Sequence, residues 1–77
     1  MPELPIVSGK VALRVLQIAG WEVKRINGSH HILHKPGYDP FPIPIHGNKD
    51  LKAGTLRNII KSAGMTVEDF IGYLDLL

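Results

Sequence analysis

Apolar residues recur every three or four positions in three stretches of the chain, which is the spacing of one face of a helix. The first stretch predicts a helix from about residue 9 to residue 19, with Ser8 as its N-cap and Gly20 as its C-terminal stop. The apolar stripe of this helix consists of Val11, Ala12, Val15, Leu16 and Ala19.

Two further helices are predicted in the C-terminal part of the chain. One opens at Gly54-Thr55 and ends at Gly64. The other is short and follows Thr66, which with Asp69 three residues later resembles a capping box. Their apolar stripes are Leu56, Ile59, Ile60 and Ala63 in the first, and Val67, Phe70, Ile71 and Leu74 in the second.

Between the first two helices the chain carries the pattern of a β-hairpin. Asn27-Gly28 is favoured in a type I′ turn, because both central residues of that turn need a positive φ. A two-residue loop at this point places Ile26 opposite Ser29 and Arg25 opposite His30. One sheet face would then carry Trp21, Val23, Arg25, His30, Ile32 and His34, and the other Glu22, Lys24, Ile26, Ser29, His31 and Leu33.

The segment FPIPI predicts a third strand with Phe41, Ile43 and Ile45 on a common side. Pro42 and Pro44 lack the N–H that a strand ladder requires. We therefore expect this strand at a sheet edge, with its prolines facing away from the neighbouring strand.

The element order αβββα, with a short terminal helix, predicts an α+β fold in which helices cover a three-stranded antiparallel sheet. Trp21, directly after the first helix stop, is assigned to the core, and Tyr38 to a loop that covers it.

The 77 residues are expected to form one domain spanning 1–77, with roughly 60% of the unfolded surface buried. Without cysteine no disulfide supports so small a core, and a partner chain is expected to complete it.

Charge is unevenly distributed along the chain. Nine Lys and Arg stand against seven Asp and Glu, but three acids, Glu68, Asp69 and Asp75, lie in the last ten residues. The first 67 residues therefore carry nine basic side chains and 7 − 3 = 4 acidic ones, which favours binding of a polyanion.

The opening MPELPIVSGK does not resemble a signal peptide, and no run of about 20 apolar residues occurs. A cytoplasmic location without membrane association is expected.

Four histidines raise the possibility of a metal site, and strand geometry argues against it. His30 and His31 are neighbours in a strand and point to opposite faces. His30 and His34 share a face but lie about 13 Å apart, at roughly 3.3 Å per residue, too far to bind one ion. His46 could add only a second nitrogen ligand. We therefore expect neither a metal nor another cofactor.

Acid–base chemistry needs only one imidazole, because this group titrates near neutral pH. In the predicted register Arg25 lies opposite His30, at a Cβ separation of roughly 5 Å, and would hold a phosphate that His30 reaches. Gly28 would allow the backbone to approach a ligand, and the Ser29 hydroxyl would donate to a phosphate oxygen. The alternative is that His30 is an ordinary half-exposed residue beside a turn.

Five short motifs occur together, in order, between about Ser8 and Phe70: Gly20-Trp21, Arg25, Gly28-Ser29-His30, Pro44-x-His46-Gly47 and Gly54-Thr55-Leu56-Arg57. At these spacings the sequence closely resembles the HicA toxins of bacterial toxin–antitoxin systems, also called YcfA-like proteins. The resemblance implies a fold similar to a double-stranded-RNA-binding domain, with the two main helices on one face of the sheet.

The same resemblance implies an endoribonuclease that cleaves messenger RNA. The histidine of the Gly-Ser-His triplet, here His30, would be the catalytic residue, with Gly28, Ser29 and Arg25 in supporting roles. The implied partner is a HicB-type antitoxin, which would block the active site and determine the oligomeric state.

Phosphate contacts are expected from Lys10, Lys24 and Arg25, and along the second helix from Arg57 and Lys61. The residues alone leave two other functions open. One is a non-catalytic RNA-binding module that recognises an A-form backbone by its shape. The other is a structural subunit whose apolar surface only docks a partner.

Overall fold

The computed structural model describes residues 3–77 and confirms the predicted α+β architecture. Within this range the elements are α1 (Gly9–Ile18), β1 (Glu22–Asn27), β2 (His30–His34), β3 (Phe41–Pro44), α2 (Ala53–Ser62) and α3 (Val67–Leu74). The strands form one antiparallel sheet in the order β1-β2-β3. No helix in the described range is long and apolar enough to cross a bilayer.

The helix boundaries follow the capping residues of the sequence. The Ser8 hydroxyl accepts a hydrogen bond from the backbone N–H three residues later, at 3.2 Å. Thr66 and Asp69 form the predicted capping box at α3, with N–H to side-chain oxygen distances of 3.1 and 3.0 Å. Gly20 and Gly64 follow α1 and α2 with φ values of 99° and 71°, the left-handed conformation that ends a helix.

Two groups of buried side chains form the core. Trp21 is 1% exposed, and its ring centroid lies 4.8 Å from that of Phe41 and 5.4 Å from that of Tyr38. This confirms Trp21 as a core residue and Tyr38 as its cover. The first group is Leu16, Trp21, Leu33, Phe41, Ile43, Ile59 and Ala63, and the second is Val7, Ala12, Val15, Leu56, Ile60 and Phe70.

The third strand is an edge strand, as its two prolines predict. The backbone N–H of Ile45 donates to the Ser29 carbonyl at 2.7 Å. Along an antiparallel strand the backbone nitrogen atoms point alternately toward and away from the neighbouring strand. Since the nitrogen of Ile45 points toward β2, those of Pro42 and Pro44 point away from it. The prolines therefore interrupt no hydrogen bond of the sheet.

The hairpin turn differs from the predicted type I′ turn. Asn27 pairs with His30, so the two-residue loop is Gly28-Ser29, and the pairing of Ile26 with Ser29 was wrong. Gly28 has a φ of 63°, and no non-glycine residue between 3 and 77 has a positive φ. A left-handed residue at the first central position alone is typical of a type II′ turn. This turn places the conformational strain on glycine and spares Asn27.

A β-bulge at Lys24 changes the register again. Val23 pairs with Leu33 and Arg25 pairs with Ile32, so Lys24 has no partner across the ladder. The predicted direct opposition of Arg25 and His30 was wrong, because the Gly28-Ser29 loop already places Arg25 opposite Ile32. The bulge allows Val23 to face the core beside Leu33, and burial of these side chains favours this register.

The corrected register also reassigns the two faces of the sheet. Val23 shares the helix-covered face with Leu33, and Glu22 shares the other face with His30, whereas the prediction grouped Val23 with His30 and Glu22 with Leu33. Trp21 lies before β1. The covered face carries Val23, Ile26, His31, Leu33, Phe41 and Ile43. The open face carries Glu22, Arg25, Asn27, His30, Ile32 and His34.

Helix α1 begins directly against the end of β3. A Cβ atom added at Gly9 would overlap the carbonyl oxygen of Pro44 and approach Cγ1 of Ile45 at 3.0 Å. Only glycine therefore fits at this contact. Because Ile45 also donates to the Ser29 carbonyl, the start of α1, the end of β3 and the hairpin turn are held together.

Candidate functional site

The Gly28-Ser29-His30 turn is held between two strands. Its His30 pairs with Asn27 in β1 and with Pro44 in β3, and the Ser29 carbonyl accepts the Ile45 N–H. The His30 side chain is nevertheless exposed and lies on the open face of the sheet. The imidazole is thus carried by a fixed backbone and remains accessible to a ligand.

Arg25 lies on the same open face, one step diagonally from His30. Its cross-strand partner is Ile32, two residues beyond His30 in β2. Diagonal neighbours of an antiparallel pair are about 7–8 Å apart, within reach of a long side chain. Both residues are exposed, so an anion held by the guanidinium would lie within reach of the imidazole.

Gly28 and Ser29 have different local roles. A Cβ atom at Gly28 would meet nothing within 4 Å, so its positive φ, and not crowding, is what requires glycine there. Ser29 is half-buried, and its hydroxyl has no hydrogen-bond partner in the part of the chain that the structure describes. It is available to donate to a ligand oxygen.

A shallow groove of about 310 Å³ runs beside His30, between the β3 edge and α2. Thr55, Asn58 and Ser62 form one polar stripe along the α2 side of this groove. The complete lining is His30, Phe41, Pro42, Pro44, Thr55, Asn58, Ile59 and Ser62. The α2 residues were not predicted as site residues, although their spacing of three and four marks a polar stripe beside the apolar one.

A second recess of about 320 Å³ continues this groove and shares Pro44 and Thr55 with it. Its further lining is His46, Lys49, Asp50, Leu51 and Lys52. The lysines of this recess were not predicted as contacts either. They lie in an irregular loop, where no periodicity indicates which side chains share a surface.

The five predicted phosphate contacts are all exposed, in three separate places. Lys24 and Arg25 are adjacent in β1, Lys10 lies in the first turn of α1, and Arg57 and Lys61 lie one turn apart on α2. None of them lines the groove beside the catalytic candidate or the recess that continues it.

The remaining histidines are dispersed. His31 is half-buried on the covered face, and its Nδ1 atom is buried without a hydrogen-bond partner among the described residues. Nε2 of His34 lies 3.8 Å from Oε2 of Glu22 on the open face. His46 lies in the second recess. Across residues 3–77 no three His, Asp or Glu side chains are grouped as metal ligands.

Comparison with known proteins identifies the family. A family model described as the HicA toxin of bacterial toxin–antitoxin systems matches residues 9–65. No curated protein matches the sequence significantly. The matched segment runs from the start of α1 past the end of α2 and contains the hairpin turn, Arg25 and the whole α2 side of the groove. Because the match covers well over half of the 77 residues, the chain belongs to the family of HicA toxins of bacterial toxin–antitoxin systems.

Proposed function

We propose that this toxin is an endoribonuclease that cleaves messenger RNA, with His30 as its acid–base residue. Family membership gives the coarser role, a toxin with an antitoxin partner. The observation that supports the catalytic assignment is the position of His30, exposed on the open sheet face, beside a groove and diagonal to Arg25. We further propose a HicB-type antitoxin as the partner that covers this surface.

In the proposed reaction the His30 imidazole accepts the proton of a ribose 2′-hydroxyl. The 2′ oxygen attacks the adjacent phosphorus, and the bond from phosphorus to the 5′ oxygen of the next nucleotide breaks. The imidazolium then returns its proton to the leaving oxygen. One fragment ends in a 2′,3′-cyclic phosphate and the other in a 5′-hydroxyl.

The neighbouring residues support this step electrostatically. In this proposal the guanidinium of Arg25, which is diagonal to His30 on the open face, offsets the negative charge that grows on the phosphate oxygens. The Ser29 hydroxyl donates to one of these oxygens, and its backbone is fixed by the hydrogen bond from Ile45. Gly28 supplies the left-handed residue that brings Ser29 and His30 to the start of β2.

The products of the reaction test this proposal. Purified protein in EDTA should cleave single-stranded RNA and leave 2′,3′-cyclic phosphate and 5′-hydroxyl ends, detected by mass spectrometry. DNA of the same sequence is the control and should remain intact, because it lacks the attacking hydroxyl. Fragments with 3′-hydroxyl ends, cleavage of the DNA, or loss of activity in EDTA would contradict the mechanism. Binding without any cleavage would instead favour a non-catalytic RNA-binding module.

Contacts between basic side chains and RNA phosphates predict a steep salt dependence. If about four of the residues Lys10, Lys24, Arg25, Arg57 and Lys61 engage phosphates, the log–log slope of affinity against salt should be near −3, at about −0.7 per contact. The measurement is fluorescence anisotropy with a 2′-O-methyl oligonucleotide, which cannot be cleaved by this mechanism.

Removing two of these charges tests the assignment of the contacts. The double variant Lys24→Gln with Arg25→Gln should make the slope shallower by about 1.4. The matched control is Arg14→Gln, since Arg14 is exposed on α1 and lines neither the groove nor its continuation. A flat salt dependence of the unmodified protein, or an equal effect of the control, would remove the electrostatic part of the proposal.

A further inference from the structure

The residues that line the groove together with His30 are all uncharged. Within residues 3–77, no Lys, Arg, Asp or Glu side chain lines the groove. Its apolar part is formed by Phe41, Pro42, Pro44 and Ile59. A phosphate would need cations in the wall, whereas a nucleobase has two apolar faces and a polar edge. The chemistry of the groove therefore suits a base better than a phosphate.

The polar groups of the groove lie on one side of it. Thr55, Asn58 and Ser62 project from α2, and none of their side chains has a hydrogen-bond partner within residues 3–77. The Asn58 amide offers both a donor and an acceptor, which is the combination that forms two hydrogen bonds with one base edge. The two hydroxyls can donate or accept on either side of it.

The size and position of the groove limit what it can hold. Its volume of about 310 Å³ is at the lower end of the range for small-ligand sites, about 300–1,000 Å³. Bases of a duplex are stacked inside the helix and cannot enter such a groove, so the occupant must be unpaired. Because His30 lines the same groove, a base bound there belongs to a nucleotide at the phosphate that is cleaved.

We infer that the groove binds one unpaired RNA base adjacent to the cleaved bond, and that Asn58 determines which base is accepted. The inference rests on the proposed ribonuclease function and extends it to substrate selection. Asn58 is exposed on a regular helix, so its replacement by alanine leaves the core untouched.

The test uses oligoribonucleotides that differ only in the base next to the cleavage site. The unmodified protein should cleave one of the four at least about fivefold faster than the least favoured one, the lower limit for one bidentate base contact. Asn58→Ala should bring this ratio close to one. Asn48→Ala is the matched control, because Asn48 is an exposed turn residue outside both lining sets, and it should keep the preference.

A binding measurement separates this inference from the proposed function. The same four sequences, made as 2′-O-methyl oligonucleotides, should show the base preference in their Kd values, and Asn58→Ala should remove it. Preferential binding of these oligonucleotides, with no cleavage of the corresponding unmodified RNAs, would support the groove and refute the ribonuclease. Cleavage without base preference, or a preference that survives in Asn58→Ala, would overturn the inference while leaving the ribonuclease intact.

Discussion

Replacing His30 by alanine should lower the rate of RNA cleavage by at least about 10²–10⁴-fold, the usual contribution of one acid–base group. The other three histidines are not placed to take over its role, since His31 lies on the covered face, His34 lies at the other end of β2 and His46 lies in the neighbouring recess. The measurement is the single-turnover rate on a labelled oligoribonucleotide. In cells, the same variant should lose its toxicity when it is expressed without antitoxin.

The fold of the His30→Ala variant should be unchanged, because the side chain is exposed and its backbone pairing in β2 does not depend on it. Circular dichroism and the Tm check this point. His34→Ala is the matched control, since His34 lies on the same strand and face, with its Nε2 atom 3.8 Å from Oε2 of Glu22. Full activity of the His30 variant, or an equal loss in the His34 variant, would show that the assignment is wrong.

Gly9→Ala should destabilise the protein by about 1–3 kcal/mol, the usual cost of forcing an extra methyl group into a close contact. The added Cβ would overlap the backbone carbonyl oxygen of Pro44, which cannot move away as a flexible side chain can. Since domains are stable by only about 0.05–0.15 kcal/mol per residue, this is a large share of the total for 77 residues. Urea unfolding followed by Trp21 fluorescence measures it.

Gly54→Ala is the matched control for this prediction. Gly54 lies in the first turn of α2, and a Cβ atom there would meet nothing within 4 Å. Alanine is a better helix former than glycine by up to about 1 kcal/mol, so this variant should be as stable as the unmodified protein or slightly more stable. If Gly9→Ala were equally stable, the contact between α1 and the end of β3 would not be as close as the structure shows.

The helices could be predicted because their signals are local. Ser8, the Thr66-Asp69 box and the two stop glycines act within one helical turn, and the apolar stripes follow the helical period. The helix boundaries match the predicted ones to within a residue or two. The edge position of β3 could be predicted for the same reason, because the two prolines within this strand exclude it from the centre of a sheet.

The hairpin register could not be predicted in the same way. Asn27-Gly28 permits more than one turn, and choosing between them depends on which residue takes the positive φ and which side chains the helices bury. Gly28 alone takes the positive φ, and the bulge at Lys24 then brings Val23 to the core face. Because the loop is Gly28-Ser29, Arg25 lies diagonal to His30, where direct opposition was expected.

The same distinction between local and distant signals applies to the candidate site. The Gly28-Ser29-His30 triplet was recognisable because it is contiguous. The groove beside it is not contiguous, since β3 and α2 each provide one wall, and Asn58 and His30 are far apart in sequence.

By itself, the order of residues determined the helices, the edge strand and the core stripes, because each depends on neighbours within a few positions. The pairing of the strands, the diagonal relation of Arg25 to His30 and the polar wall of α2 came only from packing. These features bring together segments that are distant in the sequence. Several backbone arrangements are similar locally, and the free energy of burying Val23, Leu33 and the rest of the core selects one of them.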